Sequence, residues 1–76
     1  MDTRVEMLLA AVAEALVLTR DQVSAADTFL GLGGDSLAAL YVCEDLSAKG
    51  FTLEAIDLFN DDDLERVAIG IRATAA

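Results

Sequence analysis

The sequence predicts an all-α domain, a small four-helix bundle with three main helices and a short third one. Three observations predict it. Seventy-six residues support one modest core and no second domain. The chain is 55% hydrophobic but only 5% aromatic, with no tryptophan, so Leu, Val, Ile and Ala must build that core, and they suit helix packing. Apolar residues also recur at three- and four-residue steps, with no strand-like alternation, internal repeat or Pro- or Ser-rich linker.

The first helix is expected from Thr3 to about Val17, where Val5, Leu8, Leu9, Val12 and Leu16 share a face and Arg4, Glu6 and Glu14 take others. Residues 18–35 lose the period and gather Thr19, Asp21, Ser24, Asp27, Thr28 and three glycines, which reads as a long loop. Val23, Phe29, Leu30 and Leu32 are its expected anchors. The second helix should start at Ser36 or Leu37 and run to Lys49, with Ala39, Leu40, Cys43 and Leu46 as its buried stripe and Gly50 as its stop. A short helix over Leu53 to Phe59 would bury Leu53, Ile56 and Phe59 behind a Thr52 cap. The last helix follows the aspartate run, with Asp62 and Glu65 at capping-box spacing and Leu64, Val67, Ala68 and Ile71 as its stripe. The final alanines are expected to fray, and the whole of 1–76 is expected to be one domain.

Charge and residue inventory exclude several function classes. A formal net charge of -9 opposes binding to nucleic acid and to anionic membranes, and the stretch from Asp35 to Glu65 holds most of the acids with Lys49 as its sole base. Basic proteins are the expected partners, and high charge favours a soluble monomer. A single cysteine excludes an internal disulfide, and the absence of histidine removes the commonest metal ligand and general base. No signal peptide or bilayer-length apolar run is present, so the expected compartment is the cytoplasm. Cys43 reads as core packing, seven residues after Ser36 with nothing to activate a thiolate. Asp61-Asp62-Asp63 lacks the spaced ligands of a calcium loop and reads as capping and solubility.

The most informative run is Gly33-Gly34-Asp35-Ser36-Leu37, which sets a serine hydroxyl where a glycine turn enters a helix. One reading makes Ser36 the helix cap and the glycines mere turn residues. Another makes Ser36 a chemical handle; with no histidine to act as base, it would be acted upon by another enzyme.

The longer stretch Asp27-Thr28-Phe29-Leu30-Gly31-Leu32-Gly33-Gly34-Asp35-Ser36-Leu37 resembles the attachment region of acyl and peptidyl carrier proteins. Leu46 and Phe51, and Leu58-Phe59 in the short third helix, fall at further family positions, so the resemblance covers essentially the whole chain. It implies that Ser36 receives 4'-phosphopantetheine from coenzyme A through a separate phosphopantetheinyl transferase that uses Mg2+, and that the arm's thiol then carries cargo as a thioester. It implies no catalysis by the chain itself. Gly34, Asp35 and Leu37 would flank the attachment point, with Asp35 assisting the transferase or compensating the helix dipole. Leu37 and Tyr41 would offer apolar contact, and Glu44 and Asp45 an acidic face, to the transferase, to a loading adenylation domain or acyltransferase, and to condensing, tailoring or thioesterase enzymes.

The double glycine and the Asp-x-Phe segment lean toward peptidyl carriers of nonribosomal peptide assembly. The acidic chain opening on methionine also resembles discrete acyl carriers of polyketide or fatty-acid synthesis. Asn60-Asp61-Asp62 stands where Pro-Thr often follows Leu-Phe in the family, a departure that bears on subtype and leaves the serine untouched. The expectation is a discrete peptidyl carrier, with the acyl carrier second and an unmodified acidic helical adaptor as the reading from another class.

Overall fold

A computed structural model describes residues 3–74 and shows the expected helical architecture with one small addition. In chain order it runs α1 (Thr3–Ala15), a 3-10 turn (Arg20–Gln22), α2 (Ser36–Ala48), β1 (Phe51–Thr52), a 3-10 helix (Ala55–Phe59), α3 (Leu64–Ala68) and β2 (Arg72–Ala73). α1 packs along α2 and touches α3. Leu8, Val12, Phe29, Val42, Leu46, Leu58, Leu64 and Ile71 make the fully buried centre. Burying such side chains contributes roughly 1.5–3 kcal/mol each, which is how a chain this small holds one fold. No helix among the described residues is long and apolar enough to cross a membrane.

The expected elements shift in particular ways. α1 stops at Ala15, because the chain turns through Val17 at φ 57°. α2 stops at Ala48, with Lys49 as its cap and Gly50 at φ 87° beyond. The buried stripe of α2 is Ala38, Ala39, Val42 and Leu46 rather than the expected one: Leu40 is half exposed and Cys43 only partly buried. Both stripes have helical spacing, and contact with α1 selects between them. The short third helix is a 3-10 helix preceded by Glu54 rather than capped by Thr52, and Ile56 points to solvent while Leu58 is buried. The tighter 3-10 winding moves the inward position.

The expected capping box at Asp62 and Glu65 is replaced by a cap at Asp63, whose Oδ1 accepts from the Arg66 N–H at 2.9 Å. The strand pair is the element that the sequence does not announce. Phe51 and Thr52 pair antiparallel with Ala73 and Arg72, and the Thr74 N–H donates to the Gly50 carbonyl at 2.9 Å. The expected fraying of the terminal alanines lies outside the described residues.

The long loop is tied down at both ends. Val23 and Phe29 are buried as anchors and Leu32 is partly so, whereas Leu30 is half exposed. The Asp27 carboxylate accepts from the Ser24 N–H at 2.9 Å, and the Leu64 and Glu65 N–H groups of α3 donate to the carbonyls of Asp27 and Ala25. Arg20, near the loop's start, pairs with Glu6 of α1 and donates to the Val23 carbonyl at 2.8 Å. Phe29 meets Phe59 edge to face, with ring centroids 5.8 Å apart. The loop therefore delivers residues 33–36 to a fixed place.

Candidate functional site

The turn before α2 is built from two glycines needed for different reasons. Gly33 sits at φ 94°, in the left-handed region that side chains rarely adopt, and the space where its Cβ would lie is open. Gly34 has ordinary φ but lies on the buried Phe29 ring: a Cβ there would come within 2.4–2.6 Å of three ring carbons. The Gly34 N–H donates to the Phe29 carbonyl at 2.9 Å, closing the turn over that ring. The Thr28 hydroxyl accepts from the Gly31 N–H at 3.0 Å and tightens the approach.

Asp35, in extended backbone, caps α2. Its Oδ1 accepts from the Ala38 N–H at 2.9 Å and its carbonyl from the Ala39 N–H at 2.9 Å. This overturns the reading of Ser36 as the helix cap. The serine is not the cap; it occupies the first helical position, exposed, and its hydroxyl has no hydrogen-bond partner among the described residues. The N–H groups of Ser36 and Leu37 likewise have no acceptor among the described residues, and with the dipole of a 13-residue helix behind them they favour negative charge beside the serine. An exposed hydroxyl, two unclaimed donors and open space at Gly33 fit a phosphodiester on Ser36.

The other expected site residues extend from this point along α2. Leu37, Tyr41 and Glu44 follow at four- and three-residue steps on one face, and all are exposed, Leu37 at 58% and Tyr41 at 51%. Leu30 from the loop and Leu40 add exposed apolar surface. Asp45 is partly withdrawn, its carboxylate 2.8 Å from the Lys49 ammonium. Cys43 is no part of this surface; burial first, then the Glu54 and Asp57 carboxylates, push its thiol up from the ordinary value and keep it protonated. Two contributors escape a reading by residue type. Phe29 is the floor on which Gly34 rests, and Asp35 is a cap, for which its spacing ahead of Ala38 is the available signal.

Comparison with known proteins agrees with this geometry. The family described as "Phosphopantetheine attachment site" matches residues 6–70. Tyrocidine synthase 2 of Brevibacillus parabrevis is 41% identical over 69 residues, 91% of this chain and 2% of that protein. Nonribosomal peptide synthetase gloA of Glarea lozoyensis is 40% identical over 68 residues, 88% of this chain and 1% of that protein. The chain thus spans a small fraction of the length of the relatives it matches. A solved structure described as "Non Ribosomal PCP domain" superposes with a TM-score of 0.83 at 28% identity, covering 99% of this chain and 96% of that one. Fold, turn and sequence agree: the chain belongs to the phosphopantetheine attachment family, whose members carry that group covalently.

Proposed function

We propose that Ser36 is the attachment point and that the chain, read as one carrier unit over 1–76, shuttles aminoacyl or peptidyl groups in nonribosomal peptide synthesis. The observation that carries this is the division of labour at the α2 entrance. Asp35 performs the capping, which leaves the Ser36 hydroxyl exposed and unbonded.

A phosphopantetheinyl transferase with Mg2+ forms the bond from Ser36 Oγ to the pantetheine-bearing phosphorus of coenzyme A as the pyrophosphate bridge breaks and adenosine 3',5'-bisphosphate leaves. The hydroxyl proton must leave to that enzyme, because the chain holds no histidine to take it. The group supplies a long arm with a terminal thiol for thioester chemistry. The chain's own part is to hold Ser36 outward, to favour the phosphate's charge with two amides, and to present Leu37, Tyr41, Glu44 and Asp45 to the transferase, the adenylation domain, and condensation, tailoring and thioesterase enzymes. Tethering raises the cargo's effective concentration at each of these sites. The peptidyl rather than acyl assignment is supported by the relatives named above. The reading has the chain acting as a monomer in the cytoplasm, where its coenzyme A donor is available.

Incubation with coenzyme A, Mg2+ and a broad-specificity transferase, followed by intact-mass analysis, tests this. The folded wild type gains the mass of one phosphopantetheine and Ser36→Ala gains none. No gain on folded wild type leaves the acidic adaptor as the surviving reading, and a gain kept by Ser36→Ala moves the site. Joint Glu44→Gln and Asp45→Asn raises the KM for the chain in this reaction more at low salt than at high salt; an equal change at both removes the acidic face from recognition.

A further inference from the structure

The turn that leads into Ser36 is fastened unevenly to the rest of the fold. Residues 25–28 are tied to α3, since Ala25 and Asp27 accept from its first amides and Thr28 bridges to Asp63. From Gly31 to Gly34 the bonds turn inward. The Gly31 N–H goes to the Thr28 hydroxyl, that of Leu32 to the Thr28 and Phe29 carbonyls, that of Gly33 to Leu30 and that of Gly34 to Phe29. Among the described residues, none of these four amides bonds outside the loop. What seats the turn on the body is the buried Phe29 ring, against which Gly34 lies too closely for a Cβ, while Leu32 is only partly buried.

Phe29 is in turn held by Phe59. The rings meet at 79° with centroids 5.8 Å apart, the edge of one on the face of the other. Leu58 supplies the fully buried anchor of the 3-10 helix, whereas Phe59 is only partly buried. The chain holds no proline, so nothing stiffens the backbone of Asn60-Asp61-Asp62 behind it, and side-chain packing keeps Phe59 in place. We propose that Phe59 is a positioning residue for the attachment reaction, acting through Phe29 and Gly34 on the Asp35 cap and the Ser36 hydroxyl. This rests on the reading of Ser36 as the attachment point. Leu37, Tyr41 and Glu44 keep their places on α2 without the Phe59 ring, so its loss slows the bond-forming step and leaves docking of the transferase intact.

The test compares Phe59→Leu, which keeps apolar bulk and removes the ring, with Phe59→Tyr, which keeps the ring. With each 76-residue chain as the transferase's substrate, Phe59→Leu lowers kcat about tenfold while KM stays within about twofold of wild type. Phe59→Tyr returns kcat to within about twofold of wild type. Hydrogen exchange on the unmodified chains reads the contact without the reaction. In Phe59→Leu the Gly34 amide, bonded to the Phe29 carbonyl, speeds up about tenfold more than the Val42 amide in the buried stripe of α2. No mass gain on folded wild type sinks the reading of Ser36 and this role with it. A gain on wild type joined to an unchanged kcat in Phe59→Leu, an equal loss in Phe59→Tyr, a change confined to KM, or equal acceleration at Gly34 and Val42 overturns the role of Phe59 alone.

Discussion

The first turns of α2 and α3 are capped alike, by an aspartate accepting from the amide three residues on: Asp35 from Ala38 and Asp63 from Arg66, both at 2.9 Å. They differ in the two amides between. At α3 the Leu64 and Glu65 N–H groups donate to the carbonyls of Asp27 and Ala25, so the loop seals that helix. At α2 the same loop turns away through Gly33 and Gly34, and the N–H groups of Ser36 and Leu37 find no acceptor among the described residues. One helix start is sealed by the fold and the other stays open. What separates them is the path of the preceding backbone, since the caps are the same residue type.

Replacing Phe29 breaks the open entrance most severely. Phe29→Ala removes a wholly buried ring that contacts Phe59 and supports Gly34; a loss of about 3–5 kcal/mol is expected, enough to unfold much of a domain this small. Urea denaturation followed by circular dichroism measures it.

Gly34→Ala comes next. Its new Cβ collides with Phe29, so a cost of about 1–3 kcal/mol is expected. Gly33→Ala meets no atom and costs only its left-handed backbone, about 1 kcal/mol. Equal losses at the two positions in the same denaturation series would show that the ring contact is not what requires Gly34.

The caps sharpen the comparison directly. Asp35→Ala and Asp63→Ala should each lose about 1 kcal/mol, since each removes one side-chain acceptor from a helix start. Only Asp35→Ala should also slow the mass gain at Ser36, measured with the two folded variants side by side. If Asp63→Ala slows it equally, the open entrance is not the feature that the transferase reads.

The smallest effect lies where the loop is fastened to α1. Hydrogen bonding from Arg20 holds the Glu6 carboxyl below the usual carboxylate range. A depressed folded-state pKa means that the pair contributes stability above the usual range, and the contribution is lost as pH falls through the folded value. Both side chains are nearly half exposed and the pair is screened by solvent, so the effect is slight. The melting-temperature difference between wild type and Glu6→Gln should be constant near neutrality and shrink to zero in acid; a difference that grows on acidification contradicts the assignment.

Much of this was legible beforehand, for identifiable reasons. Gly33-Gly34-Asp35-Ser36 marks a helix entrance by composition alone, and the spacing of Leu8, Leu9 and Val12 marks the core face of α1. The cap at α2 was less legible, because Asp35 and Ser36 are both good capping residues and adjacent in sequence. The same ambiguity affected Asp62 and Asp63 in a run of three aspartates. Leu40 and Ile56 were misplaced because helical period gives the stripe's spacing but not which neighbour covers it. The strand pair was illegible because two-residue strands carry no alternation to read.

Legible in the residues alone are a short, acidic, helix-forming chain without histidine and a serine at a glycine-built helix entrance. Those properties follow from residue counts and from spacings within a few positions of each other. Packing settles the rest: Asp35 rather than Ser36 closes the helix, Gly34 must be glycine because Phe29 lies under it, and α3 is sealed while α2 stays open. Each of these depends on where the loop's backbone passes relative to a helix or a ring, and local sequence does not encode that distance.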